Sequence, residues 1–158
     1  MQLILCLNCE QYFNHQSILT VSKDLEALFR TFGITPTKQR LEIAGLLFNR
    51  HEHLSAEDVF NLVNGESPRV SKATVYNTLG LFAERGLIRE VIADPTRIFY
   101  DPNTAPHHHL YDESTGMLTD IPAAQVQISG LPALPEGMHM EGVDVIVRVR
   151  TAREPSAN

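Results

Sequence analysis

The chain has almost no cysteine, no long apolar run and no surplus of positive charge. Only Cys6 and Cys9 occur among its 158 residues, and with so few thiols a cytoplasmic location is expected. No stretch reaches the ~18 consecutive apolar residues of a membrane helix, so no membrane partner is expected. Leu3, Ile4, Leu5 and Leu7 follow no basic segment and precede no small-residue cleavage site, which argues against a signal peptide. Repeats and low-complexity tracts are also missing. The net charge of −6 is the wrong sign for a nucleic-acid binder, but it is unevenly placed. From Lys23 to Tyr100 there are ten Lys/Arg and ten Asp/Glu; from Asp101 to Asn158 there are three and eight. The acidity therefore sits in the last third, and a neutral first part can still bind phosphates if its bases share one face.

What is present has the rhythm of short helices followed by strands. Residues 1–21 read as an N-terminal extension. Leu25, Leu28 and Phe29 predict a helix over Lys23–Phe32, stopped by Gly33. Thr35-Pro36 predicts the cap and first residue of a second helix, with Leu41, Ala44, Leu47 and Phe48 on one stripe. Ser55-Ala56-Glu57-Asp58 matches a capping box before a third helix, with Val59, Leu62 and Val63 inward. Ser71 caps a fourth, Lys72–Arg85, with Val75, Leu79 and Phe82 inward and Gly86 at its stop. Two β-prone runs around Asp94-Pro95 read as a hairpin.

Helices followed by a hairpin describe a winged helix-turn-helix over 22–101. A polar, Pro-containing linker, 102–106, leads to a small domain over 107–150 and a tail over 151–158. That domain contains strands at His107–Tyr111 and Met117–Ile121, an amphipathic segment at Ala123–Ser129, and a strand at Val143–Arg150. It holds too little apolar surface to stand alone, so pairing with a second copy is expected. The fold class is α+β: an N-terminal winged helix-turn-helix domain, then a small α/β dimerisation domain.

The most unusual local feature is His107-His108-His109. On a strand, His107 and His109 share a face and His108 takes the other. Asp101 precedes the triplet, Asp120 lies on the next strand, and His53 stands before the third helix. Three imidazoles and two carboxylates suit Fe(II), Mn(II), Zn(II) or Co(II), and the lack of thiolate argues against a tetrahedral structural zinc. On spacing alone the same residues read as well as a solvated turn, a capping histidine and two turn aspartates.

Ile34-Thr35-Pro36-Thr37-Lys38-Gln39-Arg40, His53-Leu54-Ser55-Ala56-Glu57-Asp58-Val59-Phe60, Ser71-Lys72-Ala73-Thr74-Val75-Tyr76-Asn77-Thr78-Leu79 and the histidine triplet resemble the ferric uptake regulator family over about residues 22–150. The resemblance implies a homodimer that binds AT-rich palindromic operators in double-stranded DNA at iron, haem, metal-uptake and peroxide-defence genes. The triplet, Asp120-Ile121-Pro122 and the Val143–Arg150 tail look most like the iron response regulator branch, whose members can respond to haem. That adds His107, His108 and His109 as candidate haem contacts. His53, Asp101, His107, His109 and Asp120 match the regulatory metal ligands of the peroxide-sensing branch. Where most relatives carry Cys-x-x-Cys pairs for structural zinc, this chain has Asp112 and Thr115, so no structural zinc held by cysteines is expected. Cys6 and Cys9 fit no haem motif and read as bystanders.

The fourth helix is expected to enter the major groove by its N-terminal end. Lys72 would reach a phosphate, Tyr76 would pack on a thymine methyl, and Asn77 would bond an adenine edge or a phosphate. Ser71 and Thr74 flank them. Tyr76 matches the family's base-contacting tyrosine, whereas Asn77 stands where many relatives have arginine. Arg97 would enter a narrow minor groove, and Lys38 or Arg40 would hold the backbone. The expected function is a metal-responsive transcription regulator, a repressor of iron, haem or oxidative-stress genes, and not an enzyme. One alternative is a haem- or peroxide-released regulator whose site is a redox sensor. An alternative of another class is a metal-dependent hydrolase; no spare Glu or His base near the cluster supports it.

Overall fold

The computed structural model describes residues 18–50, 52–65 and 67–151. Cys6, Cys9, most of the 1–21 extension and all but the first residue of the 151–158 tail lie outside the described residues. The chain divides into two compact units, one ending at Ala105 and the other beginning at Pro106.

The first unit contains four helices and a three-stranded sheet. The helices are α1 (Ile18–Thr31), α2 (Lys38–Phe48), α3 (Ala56–Asn64) and α4 (Lys72–Glu84). The strands are β1 (Leu54–Ser55), β2 (Arg89–Asp94) and β3 (Arg97–Asp101), in the order β1-β3-β2. Phe29, Ile43, Leu47, Val59, Val75, Leu79 and Phe82 are fully buried and form one core, with the Phe29 and Phe82 rings 5.3 Å apart. Helix α1 starts five residues before the predicted Lys23, inside the stretch read as extension. It stops where Gly33 takes φ 64°, a left-handed turn that lets Ile34 N donate to Phe29 O at 2.8 Å.

Two helix readings need correction. The cap of α2 is Thr37, not Thr35: Thr37 Oγ1 accepts from Arg40 N at 3.3 Å, and Pro36 lies outside the helix. Sequence alone offers two threonines around one proline, and the later one wins. On α3, Leu62 is 39% exposed although it was expected to face inward; Ala56, Val59 and Val63 make the buried stripe instead. The Ser55–Asp58 capping box is present in both directions. Helix α4 is capped by Ser71 and ends before Gly86, with its predicted inward residues at 0% exposure.

Between α3 and α4 the turn is tied by one side chain. Asn64 Oδ1 accepts from Arg69 N at 2.6 Å and Val70 N at 2.9 Å, while Nδ2 donates to Phe60 O and Val70 O, each at 3.0 Å. Helices α2, α3 and α4, with α3 and α4 joined by this turn, and the β2–β3 hairpin make a winged helix-turn-helix.

The second unit is a three-stranded sheet. Its strands are β4 (His107–Asp112), β5 (Met117–Pro122) and β6 (Ile146–Val149), in the order β5-β4-β6. Strand β4 pairs antiparallel with β5 and parallel with β6. The predicted amphipathic segment at Ala123–Ser129 is a single 3-10 turn, Ala123–Gln125, with no buried residue. The predicted strand Val143–Arg150 shortens to four residues, and its valine face is open in one chain, with Val147 40% and Val149 37% exposed. Alternating valines specify a half-buried strand, but this sheet offers them no second layer.

Candidate metal centre and nucleic-acid interface

Each unit brings together its own set of candidate ligands. In the first unit, β1 pairs with β3, setting Leu54 opposite Tyr100 and Ser55 opposite Phe99. One further step along both strands brings His53 to Asp101, with Nε2 3.5 Å from Oδ2. Their side chains are 6% and 2% exposed. The other carboxylate oxygen is fixed by the backbone: Asn103 N donates to Asp101 Oδ1 at 2.7 Å. Asp101 Oδ2 also faces Arg89 Nε at 3.3 Å. Arg89 was not among the predicted site residues. It stands opposite Asp101 across the hairpin, but the register shifts between Val91 and Asp94. Counting outward from the turn therefore misplaces this pair by one residue.

In the second unit, the two-residue period of β4 sets His107 and His109 on one face. Their Nε2 atoms are 3.0 Å apart and their rings meet edge to face, with centroids 4.6 Å apart. Asp120 lies directly opposite His109 on β5. Its Oδ1 is 3.3 Å from His107 Nε2 and 4.0 Å from His109 Nε2. His109 is fully buried. His108 turns to the other face, where its Nδ1 accepts from Val145 N at 3.3 Å. That bond uses one of its two ring nitrogens in holding β6 in place.

The donor sets fit a divalent cation. Two ligand atoms about 2.1 Å from one ion are about 3.0 Å apart at right angles and about 3.4 Å apart at the tetrahedral angle. The 3.0 Å between the two histidines and the 3.3 Å between His107 and Asp120 lie in that range, and His53 to Asp101 at 3.5 Å falls just beyond its upper edge. Two facing Nε2 atoms cannot both carry a proton at 3.0 Å; either one donates to the other or both turn lone pairs to a shared cation. All of these residues are of metal-ligating type, and imidazole with carboxylate suits Fe(II), Mn(II) and Zn(II). Asp112 and Thr115 lie at the turn between β4 and β5. Asp112 Oδ1 accepts from Ser114 N at 2.8 Å, and that bond holds its carboxyl below the ordinary range.

The predicted DNA contacts divide into presented and engaged side chains. Tyr76 is 46% exposed on α4 and so is not a core aromatic; Asn77 and Lys38 are exposed as well. Ser71 and Thr74 are occupied by the helix cap, where Thr74 N donates to Ser71 Oγ at 3.1 Å. Lys72 Nζ is paired with Glu57 Oε2 at 2.5 Å, and this hydrogen bond raises its pKa. Arg40 donates to Thr35 O at 2.8 Å, and Arg97 lies 4.6 Å over the Phe99 ring. For Lys72 to reach a phosphate its pairing with Glu57 must exchange, and for Arg97 to enter a minor groove it must leave the Phe99 ring.

A winged helix-turn-helix followed by a small sheet bearing histidine and aspartate ligands defines a metal-responsive class of transcription regulator. The chain belongs to the ferric uptake regulator family, whose model matches residues 31–147. It is 30% identical over 112 residues to the peroxide-responsive repressor PerR of Staphylococcus aureus, covering 69% of this chain and 76% of that protein. Its fold is similar to the ferric uptake regulator from Pseudomonas aeruginosa with manganese, with a TM-score of 0.63 and 22% identity, covering 81% of this chain and 98% of the other. It is also similar to a zinc uptake regulator complexed with zinc and DNA, with a TM-score of 0.59 and 16% identity, covering 87% and 95%. That Staphylococcus aureus relative is a repressor. Among the described residues no helix is long and apolar enough to cross a membrane.

Proposed function

We propose that this chain is a metal-gated repressor whose two ligand sets close on one divalent cation. His53 and Asp101 supply one side, and His107, His109 and Asp120 the other. The observation that carries the reading is the buried, convergent pair His107 and His109, with Asp120 Oδ1 across the ladder 3.3 Å from His107 Nε2. When bound, the ion would supply a positive charge shared by the imidazoles and carboxylates of His53, Asp101, His107, His109 and Asp120. The chain's own residues do the rest. Asn103 N–H orients the Asp101 carboxylate, and His108 anchors β6 beside the ligand strand.

The winged helix would meet AT-rich palindromic double-stranded DNA in the cytoplasm as a homodimer. Exposed Val147 and Val149, with Met117 at 60% exposure, supply an apolar face for a second copy. Tyr76 and Asn77 would read base edges, with Lys38 and an exchanged Lys72 on phosphates. Arg40 would join them on the backbone, Arg97 would enter the minor groove, and Ser71 and Thr74 would set the helix end. A metal-induced coupling of about 1–3 kcal/mol would change operator affinity ~5–150-fold.

The histidine triplet, Asp120-Ile121-Pro122 and the Val143–Arg150 tail support a place in the iron response regulator branch. Control of iron and haem genes follows from that placement. A second reading, release by peroxide, is favoured by the 30% identity to a peroxide-responsive repressor. The deciding experiment is a band-shift titration of an AT-rich palindrome with and without Mn(II), for wild type and His109→Ala. Equal affinity under all four conditions refutes metal gating.

A further inference from the structure

We infer that Arg89 sets the metal threshold of the site by favouring its empty form. This rests on the metal-site reading above. Arg89 and Asp101 are direct partners across β2 and β3. The guanidinium Nε lies 3.3 Å from Asp101 Oδ2, and the carboxylate is 2% exposed while the arginine side chain is 23% exposed.

A carboxylate this deeply buried needs a compensating charge. Without metal, the fixed positive charge of Arg89 supplies it, since guanidinium does not deprotonate in proteins. With a divalent cation on Asp101, the carboxylate has its compensation and Arg89 becomes a like charge beside the ion. The same residue therefore stabilises the metal-free state and weakens cation binding. Its placement separates it from an ordinary orienting partner such as Asn103 N–H, which is neutral and acts alike in both states. A regulator needs an affinity matched to the free ion level it reports, and a ligand-side cation sets it without changing any ligand.

The test uses the full chain and Mn(II), with affinity read by chelator competition and thermal melts taken with and without the ion. Arg89→Gln removes the charge and keeps a polar side chain; Arg89→Met removes the charge and keeps an unbranched stem as far as the Nε position; Arg89→Lys keeps the charge. Removing the charge should tighten Mn(II) binding about tenfold or more, within the range outer-shell changes produce. It should also lower the metal-free Tm and enlarge the Tm gain on adding Mn(II). Arg89→Lys should stay close to wild type. Variants are folded with Mn(II) present, so a weak metal-free form does not prevent the measurement. Equal or weaker Mn(II) binding by both Gln and Met variants overturns the inference while leaving the metal site intact. If the wild type takes up no Mn(II), the metal-site reading itself fails.

Discussion

Replacing Asp58 with alanine should destabilise the first unit through the junction of β1 with α3 rather than through the core. Asp58 Oδ2 accepts from Ser55 N at 2.9 Å and from Ser55 Oγ at 2.6 Å, while Asp58 N donates to Ser55 Oγ at 3.2 Å. Ser55 is 5% exposed, so its amide has little water to turn to. An orphaned buried donor costs about 1–3 kcal/mol, and losing a carboxylate from a helix N-terminus costs a further ~0.3–1 kcal/mol. Partial exposure of Asp58 lets water recover some of this, which leaves roughly 1–3 kcal/mol. At about 4–8 °C per kcal/mol for a domain of this size, the Tm falls by ~4–24 °C. Ser55→Ala alone should cost about 0.5–2 kcal/mol, and the double variant should cost less than the two singles added, because both remove one reciprocal motif. Urea melts followed by circular dichroism give all three values. His53 lies two residues before Ser55, so the same variants should bind Mn(II) more weakly. A loss below ~0.5 kcal/mol for Asp58→Ala would refute the argument that the box anchors β1.

Phe82→Ala empties a fully buried site against Phe29 and should cost about 3–5 kcal/mol in a urea melt. Tyr76→Ala should weaken operator binding while leaving the stability within ~0.5 kcal/mol of wild type, since the ring is exposed; a loss of stability without a loss of affinity would reverse that assignment. Asp112 is held below the ordinary carboxylate range by Ser114 N–H. Its contribution is present above the unfolded pKa of about 3.9 and is lost as pH falls through the lower folded value. Asp112→Ala should therefore lower the Tm at neutral pH, and the gap should close in strong acid.

Helix caps and cores were legible because each rests on local chemistry. Ser55 with Asp58, and Ser71 before Val75, Leu79 and Phe82, announce their helices within one turn of sequence. Thr35 and Thr37 were not separable that way, since the choice depends on which hydroxyl meets Arg40 N. At the site, the shared face of His107 and His109 follows from the strand period alone. The meeting of His53 with Asp101 depends on a two-residue strand, β1, too short to leave a pattern. Arg89 was hidden by the shifted register of the wing, and Asn64 by its place at a helix end, where asparagine is ordinary. The valine alternation of β6 was real but incomplete: it shows which residues want cover and cannot say what covers them.

The parallel pairing of β4 with β6 has a consequence for synthesis on the ribosome. Strand β4 carries the paired histidines, yet its second edge is closed only by residues from Val145 onward: His109 N donates to Val145 O at 2.9 Å, and Glu113 N to Val149 O at 2.8 Å. Everything the winged helix needs has emerged by Ala105, so that unit can fold while later codons are still being read. The histidine strand must wait for nearly the whole described chain. A nascent molecule thus has a reading head before it has a finished ligand sheet, and stalling before Val143 would release a head with a two-stranded ribbon that is marginal by itself.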